Sequence, residues 1–215
     1  FLIATRNVEG LATLGQTAVP ALVKAINADT SFSLSEKQGD LADRNFIAQA
    51  LAQIGGPAVV EPLTTMLASA DENTVESICS ALAEIGDPRA VEPLIGLFQQ
   101  GNVNAQFSSI RALGKLQDKR AYDALALALN SPNRAIQYEA VIAVGKIGDL
   151  LAVPILVNIV EKKFDDEVHI VAIDSLGELG DPAATPVLAK ELREGVQKSS
   201  RVHAARSLGK LGGDT

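Results

Sequence analysis

Apolar residues along this chain return at a fixed period. Taking Gly15, Gly55, Gly86, Gln117, Gly148, Gly180 and Gly212 as markers, the separations are 40, 31, 31, 31, 32 and 32 residues. A period of that length is the signature of stacked supersecondary units. Counting back from each marker, Leu11, Leu51, Leu82, Leu113, Val144, Leu176 and Leu208 stand at minus four. Leu14, Ile54, Ile85, Leu116, Ile147, Leu179 and Leu211 stand at minus one, and Val8, Ala48, Cys79, Ile110, Val141, Ile173 and Ala205 at minus seven. Spacings of three and four put these on one face of a helix, here helix A, and predict that face to be buried. After the marker, Leu63, Leu94, Leu125, Leu156 and Leu188 recur at plus eight, with Leu22 in the shorter first repeat. They define a second helix, B, whose first turn holds Pro20, Pro62, Pro93, Pro154 and Pro186, where a missing N–H is harmless.

The marker glycine reads as a helix C-cap able to take positive φ. Asp87, Asp118, Asp149 and Asp181 follow it as turn and N-cap signals. At minus three stand Ala12, Ala52 and Ala83, then Gly114, Gly145, Gly177 and Gly209. Glycine inside a helix costs ~1 kcal/mol against alanine, so its recurrence predicts a crossing helix that leaves no room for a Cβ.

The fold class expected is all-α: a right-handed α-solenoid of about six short helix pairs plus a terminal half repeat, forming one domain over 1–215. The repeats fall at about 1–29, 40–71, 72–102, 103–132, 133–164 and 165–197, with the half repeat at 199–211. Hydrophobic residues make up 47% of the chain and aromatics only 4%, so the core is one of Ala, Leu, Ile and Val in closely spaced helices. The segment 30–40 accounts for the long first interval and reads as a polar surface loop, or as a flap meeting a partner through Phe32. The last helix A has no following helix B, and a solenoid end requires a polar cap. The sequence therefore predicts either further residues beyond Thr215 or a docked end, and the opening Phe1 predicts a native start elsewhere.

The net charge of −7 and a pI near 4.9 argue against a nucleic-acid groove, which requires a basic face. No apolar run approaches the ~20 residues of a membrane span, and no signal peptide is evident, so a cytoplasmic location is expected. One cysteine excludes an internal disulfide. Cys79, at a position filled elsewhere by Val, Ile and Ala, reads as a buried structural thiol. The two histidines, His169 and His203, lie 34 residues apart, unlike the three or four of a helical metal pair. No glycine-rich phosphate loop or metal set is found, and no self-contained catalytic constellation.

Ala81-Leu-Ala-Glu-Ile-Gly-Asp-Pro-Arg-Ala-Val-Glu-Pro-Leu94 and Arg206-Ser-Leu-Gly-Lys-Leu-Gly212 resemble the short HEAT-like repeats of the phycobilisome lyase type. The resemblance covers nearly the whole chain and is weakest over 1–40. It implies a setting in the cyanobacterial cytosol or plastid stroma. It also implies kinship with E/F-type subunits that attach linear tetrapyrroles to phycobiliprotein cysteines, and with chaperone-like or turnover factors of the phycobilisome. The family repeat often opens helix A with Val-Arg. Here minus eleven holds Arg44, Val75, Gln106, Gln137, His169 and Arg201. Neither histidine is followed by Glu, so the His-Glu pairs of iron-binding HEAT-repeat hydroxylases are absent.

Two candidate surfaces follow. Glu61, Glu92 and Asp123 recur at plus six of helix B and, with Gln99, Asn130 and Glu161 near the helix ends, predict an acidic concave face for a protein partner, or simply a solvated face. Arg111, Tyr138, His169, Arg201, His203 and Arg206 on the A helices form the candidate set for bilin propionates, with snorkelling surface residues as the plain alternative. The first function expected is a protein-binding scaffold or chaperone-like factor acting on phycobiliproteins, with no tightly bound cofactor. The second is a subunit of a heterodimeric phycobilin lyase, with phycocyanobilin as ligand and a second lyase-type HEAT subunit or a phycobiliprotein as partner. The third is a general adaptor with no pigment role.

Overall fold

A computed structural model describes residues 7–28, 37–67, 70–162 and 165–212, with the backbone alone for 26–28 and 37–44. Among the described residues the regular structure is α-helix and 3-10 turn, with no strand. The helices are α1 (Val8–Leu14), α2 (Val19–Ala28), α3 (Lys37–Ile54), α4 (Val60–Met66), α5 (Glu72–Ile85), α6 (Val91–Gln100) and α7 (Val103–Leu116). They continue with α8 (Tyr122–Leu129), α9 (Arg134–Ile147), α10 (Val153–Lys162), α11 (Asp166–Leu179), α12 (Thr185–Glu194) and α13 (Lys198–Gly212). Odd numbers are A helices and even numbers B helices. Helix α3 begins at Lys37, so the last residues of the segment expected to be a loop extend helix A instead. Phe32 and Leu34 lie outside the described residues. The contacts divide the chain into two compact units, Phe1–Ala112 and Leu113–Thr215.

Each A helix ends as its sequence requires. Gly86, Gly148 and Gly180 have φ of 71°, 72° and 70°, the left-handed region glycine enters without steric cost. Gln117 takes the same turn at φ 55° and compensates, its side-chain amide donating to the Lys146 carbonyl at 2.8 Å. The aspartate that follows caps a 3-10 turn not foreseen from the sequence. Asp87, Asp118, Asp149 and Asp181 accept from the N–H of Arg89, Arg120, Leu151 and Ala183 at 2.9, 3.0, 3.0 and 2.8 Å. A 3-10 turn leads into α4, α6, α8, α10 and α12 and ends on a fully buried residue: Val59, Ala90, Ala121, Ala152 or Ala184.

The core follows the repeat. The plus-eight leucines, Leu22 included, have no exposed surface. At minus four Leu11, Leu51, Leu82, Leu113, Val144 and Leu176 are buried. The expectation for minus one holds at Ile147 and needs correction elsewhere. Leu14 is 50% exposed, and Ile54, Ile85, Leu116 and Leu179 are only half-buried. Small residues at minus five take the interior place instead: Ala50, Ala81, Ala112, Ala143, Ser175 and Ser207 are all buried. An A helix packs on a B helix and also on its neighbouring A helices, so its buried stripe is wider than a two-helix hairpin requires.

The minus-three glycines explain how the A helices approach. A Cβ on Gly114 would lie 2.8 Å from the Ala143 Cβ; on Gly145, 2.8 Å from the Ser175 Oγ; on Gly177, 2.5 Å from the Ser207 Oγ. The rule is minus three of one repeat against minus five of the next. Where the partner is serine, the close approach also allows a buried hydrogen bond. Ser175 Oγ donates to the Val141 carbonyl at 3.1 Å, and Ser207 Oγ to the Ile173 carbonyl at 2.9 Å. A Cβ on Gly209 would meet nothing within 4 Å among the described residues.

Two outcomes are expected. Gly177→Ala would set its Cβ 2.8 Å from the Ser207 Cα. Overpacking of ~1–3 kcal/mol then outweighs the ~1 kcal/mol gain in helix propensity, while Gly209→Ala keeps only the gain. Urea midpoints should therefore move in opposite directions for the two variants. Acid should also strip the caps. Arg89 bonds the Asp87 carboxylate, and with the Arg89 N–H it lowers that pKa from 3.8 to about 2. The folded value lies below the unfolded one, so the contribution is present above about pH 4 and is lost as pH falls toward 2. Urea midpoints for Asp87→Asn should decline less over that interval than those of the parent.

Candidate binding surfaces

On the first unit, Glu61, Glu92 and Gln99 are exposed on α4 and α6. They do not stand free of positive charge. The Arg89 guanidinium pairs with Asp87 at 2.7 Å and donates to the Pro57 carbonyl at 2.8 Å, and its pKa is raised first by Asp87 and, to a smaller degree, by Glu61. On the second unit, Asp123 and Glu161 are exposed at opposite ends of their B helices. Asn130 serves the fold, capping α8 with its amide donating to the Ala126 carbonyl at 3.0 Å.

The second set does not present six free side chains. Arg111 is exposed and lies over the Phe107 ring, 5.8 Å from its centre, one helical turn away. Tyr138 is half-buried and Arg206 exposed. Arg201 donates to the Gly195 carbonyl at 2.7 Å, and His203 is bonded through Nδ1 to Asp174 at 2.7 Å. His169, expected at the surface, is buried. Its Nε2 lies 3.3 Å from the Glu191 carboxylate, which also accepts from the Ser200 hydroxyl at 2.7 Å. With Nε2–H directed at Glu191, Nδ1 becomes a buried acceptor, and it has no hydrogen-bond partner among the described residues.

Minus eleven thereby acquires a packing explanation. Gln106 donates to the Phe98 carbonyl at 3.2 Å and Gln137 to the Leu129 carbonyl at 2.9 Å. Each satisfies an end-of-helix carbonyl of the preceding B helix. His169 at this position turns to Glu191 instead. Glu191 and Ser200 went unremarked in the sequence, although a signal was present. The plus-eleven position of Glu191 is Met66, Leu97, Ala128 and Ile159 in the other repeats, so a carboxylate there breaks an apolar column. The cluster opens on a cavity of about 160 Å³ lined also by Asp166, Val196 and Gln197.

Cys79 is buried, and burial followed by the nearby Glu76 charge pushes its thiol up to about 12, which makes it inert as a nucleophile. No group of three metal-binding side chains occurs among the described residues, and none of their helices is long and apolar enough to cross a membrane.

Against this geometry, the family model for HEAT repeats matches residues 32–105 and 97–173, about two thirds of the chain. The chain belongs to the HEAT-repeat family. Within it, residues 168–194 match the model of the PBS lyase HEAT-like repeat. No curated protein matches the chain significantly. Among solved structures, an engineered protein is similar at 23% identity and TM-score 0.59, covering 89% of this chain and 96% of its own. A designed armadillo repeat protein in complex with the peptide (KR)4 is similar at 19% identity and TM-score 0.58, covering 90% of this chain and 99% of its own. The complex of CpcE and CpcF of phycocyanin lyase from Nostoc sp. PCC7120 is similar at 20% identity and TM-score 0.51, covering 95% of this chain and 88% of that one. At these identities the likeness is one of fold: this HEAT-repeat chain is an all-α repeat protein of the α-solenoid class.

The buried cluster yields a test. Glu191→Leu restores the apolar column but leaves His169 Nε2 without its carboxylate, a loss of ~1–3 kcal/mol, while the Ser200 hydroxyl keeps the Gln197 carbonyl as acceptor at 3.0 Å. Adding His169→Leu should recover stability, because replacing both partners of a buried pair is often neutral or stabilising. Thermal melts of the single and double variants measure the difference.

Proposed function

We propose that this HEAT-repeat protein is a docking scaffold of the phycobilisome system that grips a phycobiliprotein as a chaperone-like factor. The observation that carries the reading is the PBS lyase HEAT-like match at 168–194 inside a chain of stacked helix pairs. The exposed Glu61, Glu92, Asp123 and Glu161 support it, since acidic B-helix faces suit a partner with a basic or amide-rich ridge. Docking of this kind does not need the catalytic residues of a self-sufficient enzyme. The expected place of the protein is the cyanobacterial cytosol or plastid stroma.

A second reading, a subunit of a bilin lyase, draws on the same segment. There the client cysteine would supply the thiolate that adds to the bilin, and this chain would hold the pigment. His169 is committed to Glu191, so half-buried His203, beside Asp174, is the better proton donor. A general adaptor is the third reading.

Immobilised protein is expected to retain purified phycobiliprotein subunits, and to do so less as salt rises. No retention of any subunit at low salt would overturn the scaffold reading. Titration with phycocyanobilin separates the second: a saturable absorption shift, followed by covalent zinc-fluorescent pigment on a co-expressed client, is the lyase outcome.

A further inference from the structure

Helix α6 carries a glycine in its interior that the packing of the described residues does not require. A Cβ on Gly96 would meet nothing within 4 Å, unlike one on Gly114, Gly145 or Gly177. The corresponding positions of other repeats hold Thr65, Leu127, Asn158 and Lys190, so the helix pair accommodates side chains there. Glycine still costs ~1 kcal/mol against alanine in a helix. The open space above Gly96 belongs to a groove of about 470 Å³ on the first unit, between α4 and α6 and the starts of α5 and α7.

The groove has a distinct chemistry. Leu67, Pro93 and Leu97 give it an apolar lining, and among the described residues no lysine or arginine lines it. At its edge Glu72 is held in place by two amides at the start of α7: Asn102 Nδ2 donates to Oε1 at 2.9 Å and Asn104 Nδ2 to Oε2 at 3.0 Å. Neutral donors fix the carboxylate without cancelling its charge. Glu92 stands one helical turn before Gly96 on the same face of α6, and Glu61 one turn before Thr64 on α4. An apolar floor with an oriented carboxylate and flanking acids complements an apolar side chain next to a cation.

We propose that this groove docks a short extended segment of a partner protein, seating an apolar side chain over Gly96 and a lysine or arginine against Glu72. The assignment rests on the docking-scaffold reading and deepens it. The bare backbone at Gly96 lets the segment approach closely, and the fixed Glu72 selects the charge beside it. A backbone left uncovered at a cost to helix stability is what an approaching chain requires.

The probe is the fluorescein-labelled hexapeptide Lys-Leu-Lys-Leu-Lys-Leu, with Glu-Leu and Lys-Ser hexapeptides of the same length as controls, read by anisotropy on the full chain. The Lys-Leu peptide should bind more tightly than either control. Gly96→Leu should weaken its binding about tenfold while its melting temperature stays level or rises, and Glu72→Gln should weaken it about fivefold and flatten the salt dependence. Lack of binding by the parent, equal binding of the Glu-Leu control, or binding unchanged in both variants would each overturn the groove. Retention of phycobiliprotein by Gly96→Leu at the parental level would remove the groove and leave the scaffold reading standing. Loss of retention in the parent would remove the scaffold reading itself.

Discussion

Between α7 and α9, α9 and α11, and α11 and α13, the A helices approach so closely that a single Cβ at minus three would be too much, and the packing there is arranged around that contact. A helix whose minus-three residue is glycine accepts the next helix backbone against its own. The partner position at minus five must then be alanine or serine. Ser175 and Ser207 show the consequence most clearly. Their hydroxyls reach a carbonyl of the preceding A helix only because Gly145 and Gly177 have no side chain in the way. What glycine loses in helix propensity is offset by packing and by a buried hydrogen bond that a wider spacing would abolish.

That spacing also dictates the turns. The chain must leave helix A, reverse and enter helix B within a few residues, and it does so by a left-handed residue, an aspartate cap and a 3-10 turn. The device tolerates exchange when the lost element is replaced. Gln117 occupies a glycine's place with positive φ, and its amide ties it to the next repeat through Lys146. Glutamine at minus eleven likewise takes over an end-of-helix carbonyl where the family pattern would put arginine.

Function is accordingly sought where the repeat departs from its own rule without a structural return. His169, Glu191 and Ser200 depart from it but satisfy one another, apart from one ring nitrogen. Gly96 departs from it and makes room for nothing among the described residues. The two departures look alike as letters. They differ only in whether a neighbour fills the space, and that separates a core irregularity from the open surface on which the proposed docking groove rests.

The sequence by itself determined the helix pairs, their period and their caps, because these depend on local spacing and on backbone preferences that each repeat states again. It also determined the glycine crossing, since a residue unfavourable to helices at one recurring position has few explanations. The tertiary structure alone decided which of the apolar stripes is innermost, moving minus one outward and minus five inward. It decided that His169 faces a buried carboxylate 22 residues along the chain. It decided that His169, Arg201 and His203, three of the six candidate A-helix side chains, are bonded within the fold, and that one glycine opens a groove instead of admitting a helix. Side chains compete for partners across repeats, and which neighbour reaches them first is a matter of distance in three dimensions, to which spacing along the chain is blind.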